Sequence, residues 1–224
     1  MTYVMSDLHG CYDKYLRMLK IIDLKDEDTL YILGDIVDRG DEGLRLALDL
    51  RLRENVVVLR GNHDYTALTL LRQLEVRNPP EGIVEIFNLW FSDGGNATYI
   101  EYRNLTPEER KNALSFLNFM AIYEAIEVGS RSFFLAHTVP ERERFLSFDS
   151  CTIEDFIMGE PDYEEVYLPE VTIVTGHTPT SFIDEEYRGR IWHGNNHIAV
   201  DCAAVFGNPL GCICLDTMKE YYTD

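Results

Sequence analysis

The chain has 224 residues, 46% of them hydrophobic and 26% charged. That is the range of one globular domain carrying at most an elaborate insertion, and it excludes disordered, collagen-like and coiled-coil chains. Lys and Arg number 20 against 39 Asp and Glu, a formal net charge of -19, which repels phosphate backbones and anionic lipid and so removes nucleic-acid polymers and membranes as partners.

In chain order, apolar runs at 3–5, 30–33 and 56–59 predict buried strands. Between them, apolar residues recur at helical spacing over 12–22 and 42–53, so the opening third reads strand, helix, strand, helix, strand. The stretch 64–120 is helical in pattern, broken at Pro79-Pro80 and Gly94-Gly95, and predicts a helical insertion of several short helices over one edge of the single 1–224 domain. Thr106-Pro107-Glu108-Glu109 supplies an N-cap, Pro at the first helical position and Glu two positions on, so one helix begins there. Further buried strands are predicted at 133–136 and 171–175, and a meander of hairpins at 191–193, 198–201, 211–216 and 220–222. Residues 145–187 contain no Lys or Arg, which reads as a solvated acidic face.

No apolar run approaches the roughly 20 residues that cross a bilayer, and the first residues lack the basic and apolar regions of a secretory leader. Five cysteines without a Cys-x-x-Cys pair fit reduced thiols. The expected location is therefore the cytoplasm. Cys212 and Cys214, two apart on one strand, belong to one face and serve as packing. Nothing in the sequence sets an oligomeric state.

Each of the five longer apolar runs ends at, or a few residues before, a group able to bind a hard or borderline metal: Asp7 with His9, Asp35, Asn62 with His63, His137, and His177. Any one of these has a plain structural explanation, since Asp and Asn cap helices and buried histidines bond backbone carbonyls. Five together point to one crevice, because the carboxyl ends of strands in an α/β sheet converge. Carboxylate, amide and imidazole without thiolate suit Mn, Fe, Zn or Ni better than a closed structural zinc site. Within Gly34-Asp35-Ile36-Val37-Asp38-Arg39-Gly40, two acids three apart are followed by an Arg that a simple turn would not need, and Gly61 precedes Asn62-His63-Asp64 where close approach of backbone to a ligand is possible. His193 and His197 lack such settings and read as structural.

Taken in order, Asp-x-His, Gly-Asp-x-x-Asp-Arg-Gly, Gly-Asn-His-Asp, His and Gly-His-Thr resemble the motifs of the calcineurin-like metallophosphoesterases. The Asp-Arg-Gly block is similar to the phosphoprotein phosphatase branch, and within it to the small bacterial and phage Ser/Thr phosphatases. The segment from Asp201 to Gly207 also resembles a late family segment, so the likeness covers nearly the whole chain. It implies two mixed β-sheets flanked by helices in four layers, and two divalent ions, manganese first with iron, zinc or nickel as alternatives. Asp7, His9 and Asp35 would hold one ion, and Asp35, Asn62, His137 and His177 the other, with Asp35 bridging. A hydroxide bridging the ions would be the nucleophile, His63 the general acid oriented by Asp38, and Arg39 and Asn62 the phosphate ligands. Two ions about 3.5–4 Å apart clamp the attacking and leaving oxygens of an in-line displacement, which is the physical sense of the arrangement.

Three departures bear on substrate. Asp64 stands where the phosphatase branch commonly has Glu, a form shared with dinucleoside-polyphosphate hydrolases. The second phosphate-binding Arg of the phage-type enzymes is missing from 145–187, leaving Arg142 or Arg144 to replace it or Arg39 to act alone. Ala203 stands where relatives have Gly, which alters a turn near the site. The expectation is a phosphomonoester hydrolase of phosphorylated proteins or peptides, Ser/Thr before Tyr. The first alternative is a hydrolase of dinucleoside polyphosphates or another small phosphoester, and the second a non-catalytic metal-bound interaction module.

Overall fold

The computed structural model describes residues 1–74, 76 and 80–223. In chain order it holds β1 (Thr2–Met5), α1 (Tyr12–Ile22), β2 (Thr29–Ile32), α2 (Gly43–Leu50), β3 (Val56–Val58) and α3 (Asn62–Gln73). Then follow α4 (Ile83–Trp90), α5 (Asn96–Asn104), α6 (Pro107–Phe119), β4 (Tyr123–Val128), β5 (Arg131–Ala136), α7 (Arg142–Leu146) and α8 (Ile153–Ile157). The chain closes with β6 (Val171–Thr175), α9 (Thr180–Ile183), β7 (Trp192–Gly194), β8 (His197–Ala199), β9 (Gly211–Cys214) and β10 (Lys219–Tyr222). No helix among the described residues is long and apolar enough to cross a membrane.

Two mixed five-stranded sheets result, ordered β10-β9-β1-β2-β3 and β4-β5-β6-β8-β7. In the first, β1, β2 and β3 run parallel; in the second, β5, β6 and β8 do. Alternation along each strand divides the apolar residues between two faces. Val4, Leu33, Phe133, Leu135, Val174 and Ile213 fill the space between the sheets. Met5, Ile32, Tyr15, Met18 and Leu46 pack the helices onto the outside of the first sheet, and Phe134, Phe145, Phe156 and Ile173 cover the outside of the second. Three separate apolar clusters thus mark the three interfaces of a helix, sheet, sheet, helix stack. Cys212 and Cys214 both join the outer cluster of the first sheet, and all five thiols are free.

Local chemistry explains the boundaries that position the site. Helix α6 starts where Thr106 and Glu109 exchange capping hydrogen bonds, Glu109 accepting from Thr106 N at 2.8 Å. Helix α4 runs into a kinked turn at Phe91–Gly95 because Gly94 adopts φ 99°. Pro79 of the other expected break lies outside the described residues. The late strands differ from a single meander: the β7-β8 hairpin joins the second sheet, and the β9-β10 hairpin crosses to the first by pairing β9 with β1. Strand β4 had no predicted counterpart, since Glu124 and Glu127 interrupt its apolar pattern on a sheet edge where only β5 pairs with it.

Candidate metal and phosphoester site

Parallel β1, β2 and β3 present their carboxyl ends beside those of β5 and β6, and the five loops that follow are laced to one another. His9 N donates to Asp35 O at 2.8 Å, Gly10 N to Ile36 O at 2.9 Å and Gly176 N to His137 O at 2.9 Å. The approach is close enough that a Cβ on Gly61 would fall 2.0 Å from Asp35 Oδ1, which is why glycine stands there. Of eleven non-glycine residues with positive φ among those described, six are Asp7, His9, Asp35, Asp38, Arg39 and His177. Backbone strain is thus concentrated at the residues singled out by the sequence, the usual mark of a site whose geometry is imposed by its surroundings.

Asp35 lies at the centre. Its Oδ1 accepts from His63 N at 3.0 Å, while Oδ2 stands 3.4 Å from His137 Nε2 and 3.7 Å from His9 Nε2. Asn62 Oδ1 is 3.0 Å from His137 Nε2 and 3.1 Å from His177 Nδ1, and those two nitrogens are 3.1 Å apart. His9 Nδ1 and His137 Nδ1 donate to the carbonyls of Val37 and Leu33 at 2.8 and 2.7 Å, which fixes their tautomers and leaves the lone pair of each Nε2 facing the cluster. Two donor groups result, His9 with Asp35 and His63, and Asp35 with His137 and His177, the ligand atoms of each lying within 4.8 Å of one another. Asp7 stands outside both groups: its Oδ2 accepts from Ser6 Oγ and from His177 N.

Burial dominates the charge states. It holds His9 and His137 well below the ordinary imidazole range and takes His177 down to about 4, each helped by neighbouring positive or imidazole groups. Burial likewise raises Asp7 and Asp35 well above the ordinary carboxyl range, reinforced by their acidic neighbours Asp201 and Asp64, and raises Asp64 and Asp201 themselves to about 6. Neutral imidazoles crowded with lone pairs toward one another, beside carboxylates that repel, form a donor set that a cation relieves. Arg39 already acts in that sense, since its Nη1 lies 2.6 Å from His9 Nε2. The residues present therefore fit divalent ions.

His63 is organised differently. Its Nδ1 donates to Asp38 Oδ2 at 2.8 Å, and Asp38 also accepts from Trp90 Nε1 at 2.7 Å and from Thr98 Oγ1 at 2.6 Å. Asp38 is completely buried, so three donors satisfy its carboxylate and lock the imidazole orientation. Arg39 Nη2 donates to Asp93 Oδ1 at 3.3 Å, and Asp93 Oδ2 lies 3.7 Å from His63 Nε2. A carboxylate thus spans the Arg and the His on which a phosphoryl group would be expected.

Trp90, Thr98, Ser6 and Asp93 carry no motif in the sequence, and only tertiary contact reveals them. Asp64 turns out to be a clamp: it accepts from Gly61 N at 3.0 Å, Asp35 N at 2.8 Å and Ile36 N at 3.0 Å, tying the third loop to the second. Arg144 is engaged by Asp155 at 3.1 Å and Arg142 by the Val166 carbonyl at 2.9 Å. Arg188, paired with Glu185 at 2.7 Å, lines a cavity of about 740 Å³ that opens beside Arg39 and His177. His193 pairs with Glu220 and His197 with Thr175, the structural roles expected of both. Ala203 sits at φ 59°, the left-handed conformation in which a Cβ is strained. Ala203→Gly should therefore stabilise the chain by about 1 kcal/mol, measured by urea unfolding; a destabilisation would show that the Ala203 methyl packs better than the backbone suffers.

The calcineurin-like phosphoesterase family model matches residues 2–213. The symmetrical bis(5'-nucleosyl)-tetraphosphatase of Wigglesworthia glossinidia brevipalpis is 33% identical over 88 residues, 38% of this chain and 32% of that protein. The chain thus spans about a third of the length of that curated relative. Among solved structures, a provisionally assigned diadenosine tetraphosphatase superposes with a TM-score of 0.71 at 16% identity, over 99% of this chain and 92% of its own. A protein serine/threonine phosphatase from Saccharomyces cerevisiae follows with 0.61 at 12% identity, over 94% and 71%; both show the fold alone. With the family model spanning nearly all of its length, the chain belongs to the calcineurin-like phosphoesterases.

Proposed function

We propose that the chain is a metal-dependent hydrolase of dinucleoside polyphosphates. Its hydrolytic character is carried by one observation, the two donor groups that share Asp35. The substrate class is supported by the name of the curated relative and by a cavity of nucleotide size next to Arg39 and His177. The phosphoprotein expectation becomes the second reading, favoured by the Asp38-Arg39-Gly40 block.

Asp7, His9 and Asp35 would hold one divalent ion, and Asp35, Asn62, His137 and His177 the other. Bound there, the ions would supply Lewis acidity and a water activated for attack on phosphorus. Arg39 and Asn62 orient the phosphoryl oxygens, and His63 Nε2 delivers a proton to the departing oxygen while Asp38 holds Nδ1. Water adds to phosphorus, the anhydride P–O bond breaks, and a nucleoside phosphate leaves; symmetrical cleavage of a dinucleoside tetraphosphate gives two nucleoside diphosphates. The interaction-module alternative leaves the buried Trp90-Asp38-His63 relay without a purpose. The cytoplasm, a reducing compartment, suits the five free thiols.

The test is kcat/KM for a dinucleoside tetraphosphate and a phosphoserine peptide, measured side by side on Mn²⁺-loaded protein. The proposal expects the dinucleotide to win by at least about 100-fold, roughly the discrimination a built recognition pocket gives. Preference for the peptide would restore the phosphoprotein reading.

A further inference from the structure

We infer that Phe182 and Phe206 form the nucleoside-recognition site, with one base of the substrate held in the cavity these rings line. This rests on the dinucleotide reading and adds to it the residues that distinguish a nucleotide from a bare phosphate chain.

Phe182 and Phe206 are 81% and 67% exposed, among the most exposed large apolar side chains described, and both line the 740 Å³ cavity. Exposed rings on a short helix and a single turn contribute little to the core, so packing does not account for them. Each is placed by residues of the site: helix α9 begins three positions after His177, and the turn at Ala204–Phe206 follows Ala203, whose N–H donates to Asp201 Oδ1 at 2.7 Å.

Arg39, Arg188 and Glu160 are the charged residues of the lining, and Arg39 stands beside the rings. The guanidinium of Arg39 lies 5.5 Å from the Phe206 ring centroid while its Nη1 and Nη2 reach His9 and Asp93. An anionic chain gripped by Arg39 therefore begins directly beside an aromatic surface. Arg188 lines the same cavity, its guanidinium held by Glu185 at 2.7 Å. A planar heteroaromatic group joined to a polyphosphate fits this order of features, because base stacking on aromatic rings is tolerant of base identity and needs only an accessible π-face. The large exposure of both rings also makes their replacement safe for the fold.

The experiment reads inhibition of p-nitrophenyl phosphate hydrolysis by ADP and by inorganic pyrophosphate, on Mn²⁺-loaded wild type, Phe182→Ala, Phe206→Leu and Phe206→Trp. The ratio of the two inhibition constants isolates the nucleoside. Wild type should prefer ADP by about ten-fold or more; Phe182→Ala and Phe206→Leu should each lose most of that preference, and Phe206→Trp should keep it. Equal inhibition of wild type by both compounds, or a preference unmoved in both loss variants, overturns the inference. Dinucleoside tetraphosphate turnover by wild type is recorded in parallel: turnover with no Phe dependence defeats the nucleoside site alone, whereas absent turnover defeats the proposed function. A phosphoserine peptide that inhibits more strongly than ADP and weakens with the same two variants would assign the cavity to peptide and overturn the inference as well.

Discussion

Asp35→Asn should weaken binding at both metal positions together and remove turnover. The Asp35 carboxylate is the one group common to the two donor sets, and loss of merely outer-shell partners already costs about 10–100-fold in metal affinity. Binding of Mn²⁺ measured by calorimetry should fall by more than that at both sites. A second readout does not depend on activity. Burial and the charge of Asp64 raise Asp35 above its unfolded value, so the metal-free fold favours the protonated carboxyl. Its contribution is present below the ordinary carboxyl pKa and is lost as pH rises through the raised value. Asp7, Asp64 and Asp201 shift in the same direction. The imidazoles of His9, His137 and His177, held low by burial, carry the opposite pH trend, so the variant isolates the carboxyl: stripped Asp35→Asn should unfold at higher temperature than stripped wild type at pH 8. With Mn²⁺ the order should reverse. If the variant binds two ions as tightly as wild type, Asp35 is not the shared ligand.

His63→Asn should separate substrates by their leaving groups. Proton delivery contributes about 10²–10⁴ in rate when the departing oxygen is a poor leaving group. An alkyl phosphate such as phosphoserine leaves as an alkoxide, and its hydrolysis should fall by that amount. A dinucleoside polyphosphate releases a phosphate oxygen that scarcely needs the proton, and should lose much less. Asp38→Asn should reproduce the pattern more weakly, because Trp90 and Thr98 still hold the side chain while the charge behind Nδ1 is gone. Metal content should stay at the wild-type level in Asp38→Asn. Undiminished alkyl phosphate turnover by His63→Asn would remove His63 as the acid.

Much of the fold was legible because strand and helix periods are local properties. The run at 171–175 and the helix over 12–22 coincide with the observed elements, and parallel pairing within each sheet, with the two sheets packed on one another, brings the ends of β1, β2, β3, β5 and β6 together. The gathering of Asp35, Asn62, His63, His137 and His177 follows from that convergence. What stayed hidden depends on contacts distant in sequence. Asp64 reads as an N-terminal helix residue, yet two of its three partners are backbone N–H groups 28 and 29 residues away. Trp90 finds Asp38 across 52 residues, and no spacing rule predicts that meeting. Strand β4 was obscured by its edge position, where Tyr123, Ala125 and Glu127 face water and Glu124 breaks the apolar alternation of the other face. The exposure of Phe182 and Phe206 is equally invisible in a sequence, since most phenylalanines are buried.

The most direct measurement is chromatography of the products formed from a dinucleoside tetraphosphate by chelator-stripped protein before and after addition of Mn²⁺. The account predicts no turnover before addition and nucleoside diphosphate as the sole product after it. Turnover that persists without metal, or intact dinucleotide after Mn²⁺ is restored, would contradict it.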